Sequence, residues 1–225
     1  MKLIIFDLDG TLIDTLADLA NSCNYALNAH GYPVHPISAY RIFVGNGITK
    51  LVQRALPDGH TPETIERVKK TFVEYYTLHA NDSTQPYLGI MEALITLKGR
   101  EYLLSVASNK YHEATEALVG KYFGNIGFDV VLGHREGKPA KPDPQIVFDT
   151  LETLNVDPKN CIYVGDSSVD MNTATAAGVT SVGVTWGFRS ESELREHGAD
   201  HLIHHPRELP ALADRLLRSV STTKT

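Results

Sequence analysis

Four short runs of the chain are apolar without interruption or nearly so: 3–6 (LIIF), 102–106 (YLLSV), 161–164 (CIYV) and 181–184 (SVGV). A strand covered by helices on both faces reads this way, because neither of its faces meets water. Weaker runs at 130–132 and 201–203 extend the series. Between them, hydrophobic positions recur at three- and four-residue spacing over 90–98, 112–120, 144–154, 169–177 and 190–197, which predicts helices. Strands alternating with helices of this length predict an α/β fold, a Rossmann-like parallel sheet with helices on both faces.

Residues 15–85 break the rhythm. The stretch TLADLANSCNYALNAHGY reads as a helix closing at Gly31, and SAYRIFVGNGITKLVQRALP as two helices around a Gly-Asn-Gly break. A third pattern starts at Thr61, an N-cap residue followed by Pro62 at the first helical position and an acidic first turn. No strand pattern stands out across this stretch. An all-helical block inserted just after the first strand predicts a separate cap domain, 15–85, on a core made of 1–14 and 86–225, with hinges near 14–16 and 81–88.

Composition narrows the function classes. The chain has 225 residues, 42% hydrophobic and 21% charged, and its formal charge of -6 argues against a nucleic-acid partner, which needs a basic face. Only 67–70 (RVKK) is locally basic, as a solvated helix face would be. Cys23 and Cys161 belong to no CxxC or zinc pattern and read as small buried hydrophobes. The first strand is too short for a signal peptide and no apolar run reaches the length of a membrane span, so a cytoplasmic protein without a membrane partner is expected.

The chemistry-bearing residues gather just past the carboxyl ends of the strands, where open parallel sheets bind ligands. Asp7, Asp9, Gly10 and Thr11 follow the first strand; Ser108 and Asn109 follow the second; Gly165, Asp166, Ser167, Ser168 and Asp170 follow the CIYV run. Lys141 stands just before a helix opening at Pro144. Two carboxylates one residue apart repel and resist leaving water, so something must hold them there.

In order and spacing, DLDGTLID, ASNK, KPDP and GDSSVD resemble the four motifs of the haloacid dehalogenase superfamily, over essentially the whole chain. The helical insertion after the first motif is similar to that of the C1-capped branch, and FVGNGITKLVQRAL with SVGVTWGF resembles its phosphoglycolate phosphatases and their near relatives. The resemblance implies a Mg²⁺-dependent phosphatase acting on a small phosphorylated metabolite, with 2-phosphoglycolate leading. It implies Asp7 as nucleophile and Asp9 as general acid and base, with Ser108 and Lys141 stabilising the transferring phosphoryl group. Mg²⁺ would take carboxylate oxygens from Asp7 and Asp166 and the backbone carbonyl of Asp9, with Asp170 near enough to hold a ligand water or Lys141. Thr11 would orient Asp9 through its hydroxyl, and Gly10 and Asn109 would help to receive substrate.

The same resemblance orders the rivals. Dehalogenases lack an acid at the place of Asp9, so phosphoryl transfer is expected over dehalogenation. Phosphonatases use a cap lysine, for which Lys50 is the candidate near the Gly-Asn-Gly turn. Pyrophosphatase, nucleotide phosphatase and phosphomutase activities remain alternatives, and a non-catalytic binding protein is a remote one. The family pattern Lys-Pro-x-Pro fits Lys141 and not Lys138. In the cap, Gly45, Asn46 and Gly47 allow close backbone approach to substrate, or form only a tight connection between helices, and Arg41 is placed to meet a substrate carboxylate. The ten histidines offer no metal-ligand pair near the carboxylates.

Overall fold

The computed structural model describes residues 1–217. Strand β1, Leu3–Phe6, is followed by the two-residue strand β2, Ile13–Asp14. The chain then runs through α1 (Leu16–Ala29), α2 (Tyr40–Phe43), α3 (Ile48–Ala55) and α4 (Pro62–His79), and returns through β3, Gln85–Pro86. Beyond it come α5 (Ile90–Gly99), β4 (Leu103–Tyr111), α6 (His112–Phe123), β5 (Val130–His134) and α7 (Gln145–Leu154). The last elements are β6 (Cys161–Gly165), α8 (Ser168–Ala177), β7 (Thr180–Val184), α9 (Glu191–Glu196), β8 (His201–Ile203) and α10 (Leu209–Leu216).

Six strands form one sheet in the order β5-β4-β1-β6-β7-β8, and every neighbouring pair is parallel. All four residues of β1 are buried, as its uninterrupted apolar run requires. Ile4 and Phe6 pack with residues of α5, α6 and α10, whereas Leu3 and Ile5 pack with residues of α7 and α8. The two-residue side-chain period therefore feeds two cores, one on each face. Fully burying a residue of this kind contributes roughly 1.5–3 kcal/mol, so the central strand is a stiff base for whatever follows it.

Helices α1 to α4 enclose a third apolar cluster of their own, around Leu19, Leu27, Tyr40, Val52, Val68 and Phe72. The Thr61 hydroxyl accepts from the Thr64 N–H and caps α4, with Pro62 in its first turn, as the sequence predicts. Phe188, from the loop after β7, packs into this cluster and joins the helical block to the sheet.

Some boundaries differ from the sequence reading. The two connecting segments are not simple coil: Ile13 pairs with Pro86 and Asp14 with Gln85 as a two-residue antiparallel ladder. Two residues cannot display a period, and the partners lie far apart in the chain, so no local pattern announces the pairing. Strand β4 continues to Tyr111, past the expected end, and its register with β5 shifts between Ala107 and Tyr111. Ser108, Asn109 and Lys110 are thus on the strand's irregular last turn, free of the ladder. Helix α6 likewise extends to Phe123. Among the described residues, no helix is long and apolar enough to cross a membrane.

Candidate active site

The chain runs from β1 to β4 and β5 on one side and crosses to β6, β7 and β8 on the other, so the sheet's switch point lies beside β1. Asp7 continues β1, donating its N–H to the Val164 carbonyl at 2.9 Å. The chain then folds back tightly, with the N–H groups of Leu12 and Ile13 both donating to the Leu8 carbonyl. Gly10 sits at φ +89, where a side chain is strained, and a Cβ there would overlap the Asp166 carboxylate. A Cβ on Gly187 would overlap the same group. The two glycines are what let the Asp166 side chain enter the site.

Asp7, Asp166 and Asp170 are buried, and each brings a carboxylate oxygen within 4.8 Å of the others. Lys141 Nζ lies 2.9 Å from Asp7 Oδ1 and 2.8 Å from Asp170 Oδ1, and donates to the Ala107 carbonyl and the Tyr163 hydroxyl, each at 3.0 Å. Burial opposes its charge, but Asp170 and Asp7 outweigh burial and hold the ammonium well above its ordinary range. Burial, with Asp170 adding to it against Lys141, pushes the Asp7 carboxyl up to about 7. Asp166 is raised well above its ordinary value by burial, Asp170 and Asp7, opposed by the Phe188 N–H and the charge of Arg189.

One lysine among three buried carboxylates leaves two negative charges uncompensated, the charge of a divalent cation. Asp170 is already committed: its Oδ2 accepts from the Ser167 N–H at 3.1 Å and hydroxyl at 2.6 Å, completing a capping box on α8. Asp166 Oδ2 accepts from the Phe188 N–H at 2.6 Å. Asp7 Oδ2 and Asp166 Oδ1 accept from no donor among the described residues. These are the hard oxygen donors that an oxygen-seeking metal ion takes, so the residues present fit such an ion.

Asp9 is held from two sides. Its Oδ1 accepts from the Thr15 hydroxyl at 2.8 Å, and its Oδ2 lies 3.0 Å from Lys110 Nζ. Lys110 also donates to the Tyr76 hydroxyl at 3.0 Å, and Tyr76 comes from α4. Burial opposes the charge of Lys110, but Asp9 and Tyr76 prevail and raise it above its ordinary value. Lys110 and Thr15 escaped the sequence reading, although Lys110 closes the ASNK motif and was the available signal. The expected orienting hydroxyl, Thr11, is buried with its Oγ1 unpartnered, and Thr15 takes the place given to it. Lys110→Met is expected to lower kcat about 10- to 100-fold, the scale of a charge-assisted hydrogen bond, while cation affinity stays within threefold. Steady-state kinetics beside cation titration checks this.

The other expected residues divide. Ser108 lines a cleft together with Asp7, Asp9 and Asp166, and its Oγ accepts from the Lys110 N–H. Gly45 and Gly47 line the same cleft, both at positive φ. The Asn109 side chain accepts from the Lys141 N–H and donates to the carbonyls of Lys141 and Gly45, so it staples the two parts of the chain together. Asn46 accepts from Arg54, away from the carboxylates. Arg41 is exposed and does not line the cleft, because α2 turns it outward; Arg189, after β7, does line it. Lys50 is exposed and bonded to Gln53, and Lys138 is half-exposed beside Asp149, whereas Lys141 is buried against Asp7 and Asp170. Both cysteines are buried and free.

The profile of the family described as haloacid dehalogenase-like hydrolase matches residues 4–184. The chain belongs to that family. This haloacid dehalogenase-like hydrolase is 33% identical over 221 residues to a phosphoglycolate phosphatase of Mesorhizobium japonicum, covering 96% of this chain and 97% of that one. It is 31% identical over 225 residues to the phosphoglycolate phosphatase of Caulobacter vibrioides, covering 99% and 94%. Among solved structures, a Lactobacillus delbrueckii protein assigned to the phosphoglycolate phosphatases superposes with a TM-score of 0.89 at 31% identity, over 97% of this chain and 100% of that one. This hydrolase is a phosphatase with the family's α/β sheet and a helical block inserted after β1.

Proposed function

We propose that this phosphatase hydrolyses a small phosphate monoester, 2-phosphoglycolate foremost, with Mg²⁺ held by Asp7, Asp166 and the Asp9 carbonyl. The observation that carries the reading is the pairing of Asp7, with one carboxylate oxygen free of hydrogen bonds, and Asp9, held by Thr15 and Lys110, at the end of the central strand. The ion would screen the repulsion between a carboxylate and a phosphate dianion. Asp7 attacks phosphorus in line and forms an aspartyl-phosphate as the phosphorus–oxygen bond to the alcohol breaks. Asp9 gives its proton to the departing oxygen, then takes one from the water that hydrolyses the acyl phosphate and frees inorganic phosphate. Lys141 and the Ser108 hydroxyl face the transferring oxygens, and Asp170 holds Lys141 in that position.

Residues 15–85 act in this reading as a cap that moves on the ladder of β2 and β3 and excludes bulk water when closed. A metabolite of this kind fits a cytoplasmic enzyme.

The reading is tested by phosphate release from a panel holding 2-phosphoglycolate, hexose phosphates, nucleotides and pyrophosphate, with EDTA and with Mg²⁺. Preferred release from 2-phosphoglycolate, lost in EDTA and restored by Mg²⁺, is expected; release that is indifferent to EDTA would overturn the metal assignment. Cation affinity has a predicted pH dependence. Below about pH 7 Asp7 carries a proton that the cation must displace. Affinity therefore rises with pH, by up to roughly tenfold per unit below 7 for that group, and flattens above. Calorimetric titration at pH 5.5, 7 and 8.5 measures it.

A further inference from the structure

Beyond the carboxylates, the cleft is roofed by apolar side chains, Leu19, Val44, Ile48, Leu51 and Phe188, and one strong cation lines it that makes no hydrogen bond or ion pair with Asp7, Asp9, Asp166 or Asp170, though its charge favours the ionised form of Asp166. Arg189, on the loop after β7, has a side chain 9% exposed. Its Nη2 donates to the Val44 carbonyl at 2.7 Å and approaches that of Ile42 at 3.4 Å; its Nε lies 3.3 Å from Glu193 Oε1. Its Nη1 is buried and has no partner. A buried guanidinium N–H without an acceptor is unfavourable, and one is retained where an acceptor arrives from outside.

The surrounding charge has the matching sign. Arg54 Nη1 donates to the same Ile42 carbonyl at 3.3 Å, so two guanidiniums converge on one oxygen. Burial and the nearby Arg189 pull Arg54 below its ordinary range. Among the described residues Glu193 is the one carboxylate paired with Arg189, and its Oε1 is shared with the Ser168 N–H and hydroxyl. Arg54 is exposed and does not line the cleft, so what the cleft itself offers an incoming anion is the buried, unpartnered Nη1 of Arg189.

We propose that Arg189 receives an anionic group on the part of the substrate that leaves as the alcohol, so that the site selects small phosphate monoesters carrying a carboxylate. The guanidinium fork matches a carboxylate and keeps its charge at any working pH. Arg189 is then a specificity residue supplied by the core loop, in the place where the sequence points to Arg41. The inference rests on the phosphatase reading above.

The test compares kcat/KM for 2-phosphoglycolate and for ethyl phosphate, which has the same length without the carboxylate, in the wild-type enzyme with Mg²⁺ and in Arg189→Gln and Arg189→Lys. The ratio of the two values is expected to fall about 10- to 100-fold in Arg189→Gln, mainly through KM, and to recover in part in Arg189→Lys. Loss of the contacts to Val44 and Ile42 alone would lower both substrates together and leave the ratio unchanged; that result overturns the proposal. So does a wild-type enzyme that turns over both esters equally, which leaves the phosphatase reading standing. Failure of wild type on both esters and on the rest of the panel would fault the phosphatase reading itself.

Discussion

Asp7→Asn is expected to lower turnover by on the order of 10⁴-fold or more, the scale seen when a nucleophile is removed from a group that acts as a unit. The fold should survive. Asparagine has the same shape, and Lys141 keeps its contacts with Asp170, Ala107 and Tyr163. The metal-free variant should in fact be more stable than wild type at pH 8. Burial and Asp170 raise the Asp7 carboxyl to about 7, so its ionisation in the folded protein is unfavourable. The penalty is absent at pH values below the ordinary carboxylate value, grows through the window up to about 7, and is complete above it. Removing the charge should return roughly 1–3 kcal/mol at pH 8 after the weaker contact with Lys141 is counted, and almost nothing at pH 4. Added Mg²⁺ should reverse the order, because the amide is a poor ligand. Thermal melts at the two pH values, with and without the cation, read all three effects; retained turnover would remove Asp7 from the role proposed here.

Lys141→Met should act in the opposite direction on stability. It leaves Asp7 and Asp170 facing one another with no counter-charge at a site where the lysine side chain is 2% exposed. Removing one member of a buried ionic cluster costs about 3–5 kcal/mol, and the loss here should be near that range at pH 8. It should shrink as Asp7 takes up a proton below about pH 7. Turnover should drop by about 10³-fold, the upper range for one lost donor to a developing charge. Denaturant unfolding separates the two effects. In a double-mutant cycle with Asp170→Asn, part of the stability loss should be recovered, because the second substitution removes one of the stranded charges.

The gathering of the candidate carboxylates at one sheet edge was readable in advance, for a local reason. Asp7 and Asp166 directly follow or end apolar strands, and a parallel sheet presents such positions at one edge. Choosing Lys141 over Lys138 followed from the prolines around it; in the structure Lys141 is buried and Lys138 is not. Thr15, Lys110 and Arg189 were not readable in this way. Lys110 meets Tyr76 across 34 positions, and Arg189 meets Val44 across 145. Arg41 was named because it lies one turn before Gly45, but a four-residue helix gives no periodicity from which to know its outward face.

By itself the amino-acid sequence determined the order of strands and helices, the insertion of the helical block and the strand ends that carry Asp7, Asp9, Ser108 and Asp166, because burial on two sheet faces and helical spacing are written within a few consecutive residues. Only the tertiary structure decided which donors hold Asp9, which oxygens of Asp7 and Asp166 stay free, and that Arg189 reaches the cleft where Arg41 does not. Those outcomes depend on distances between segments remote along the chain and on which polar atoms packing leaves without partners.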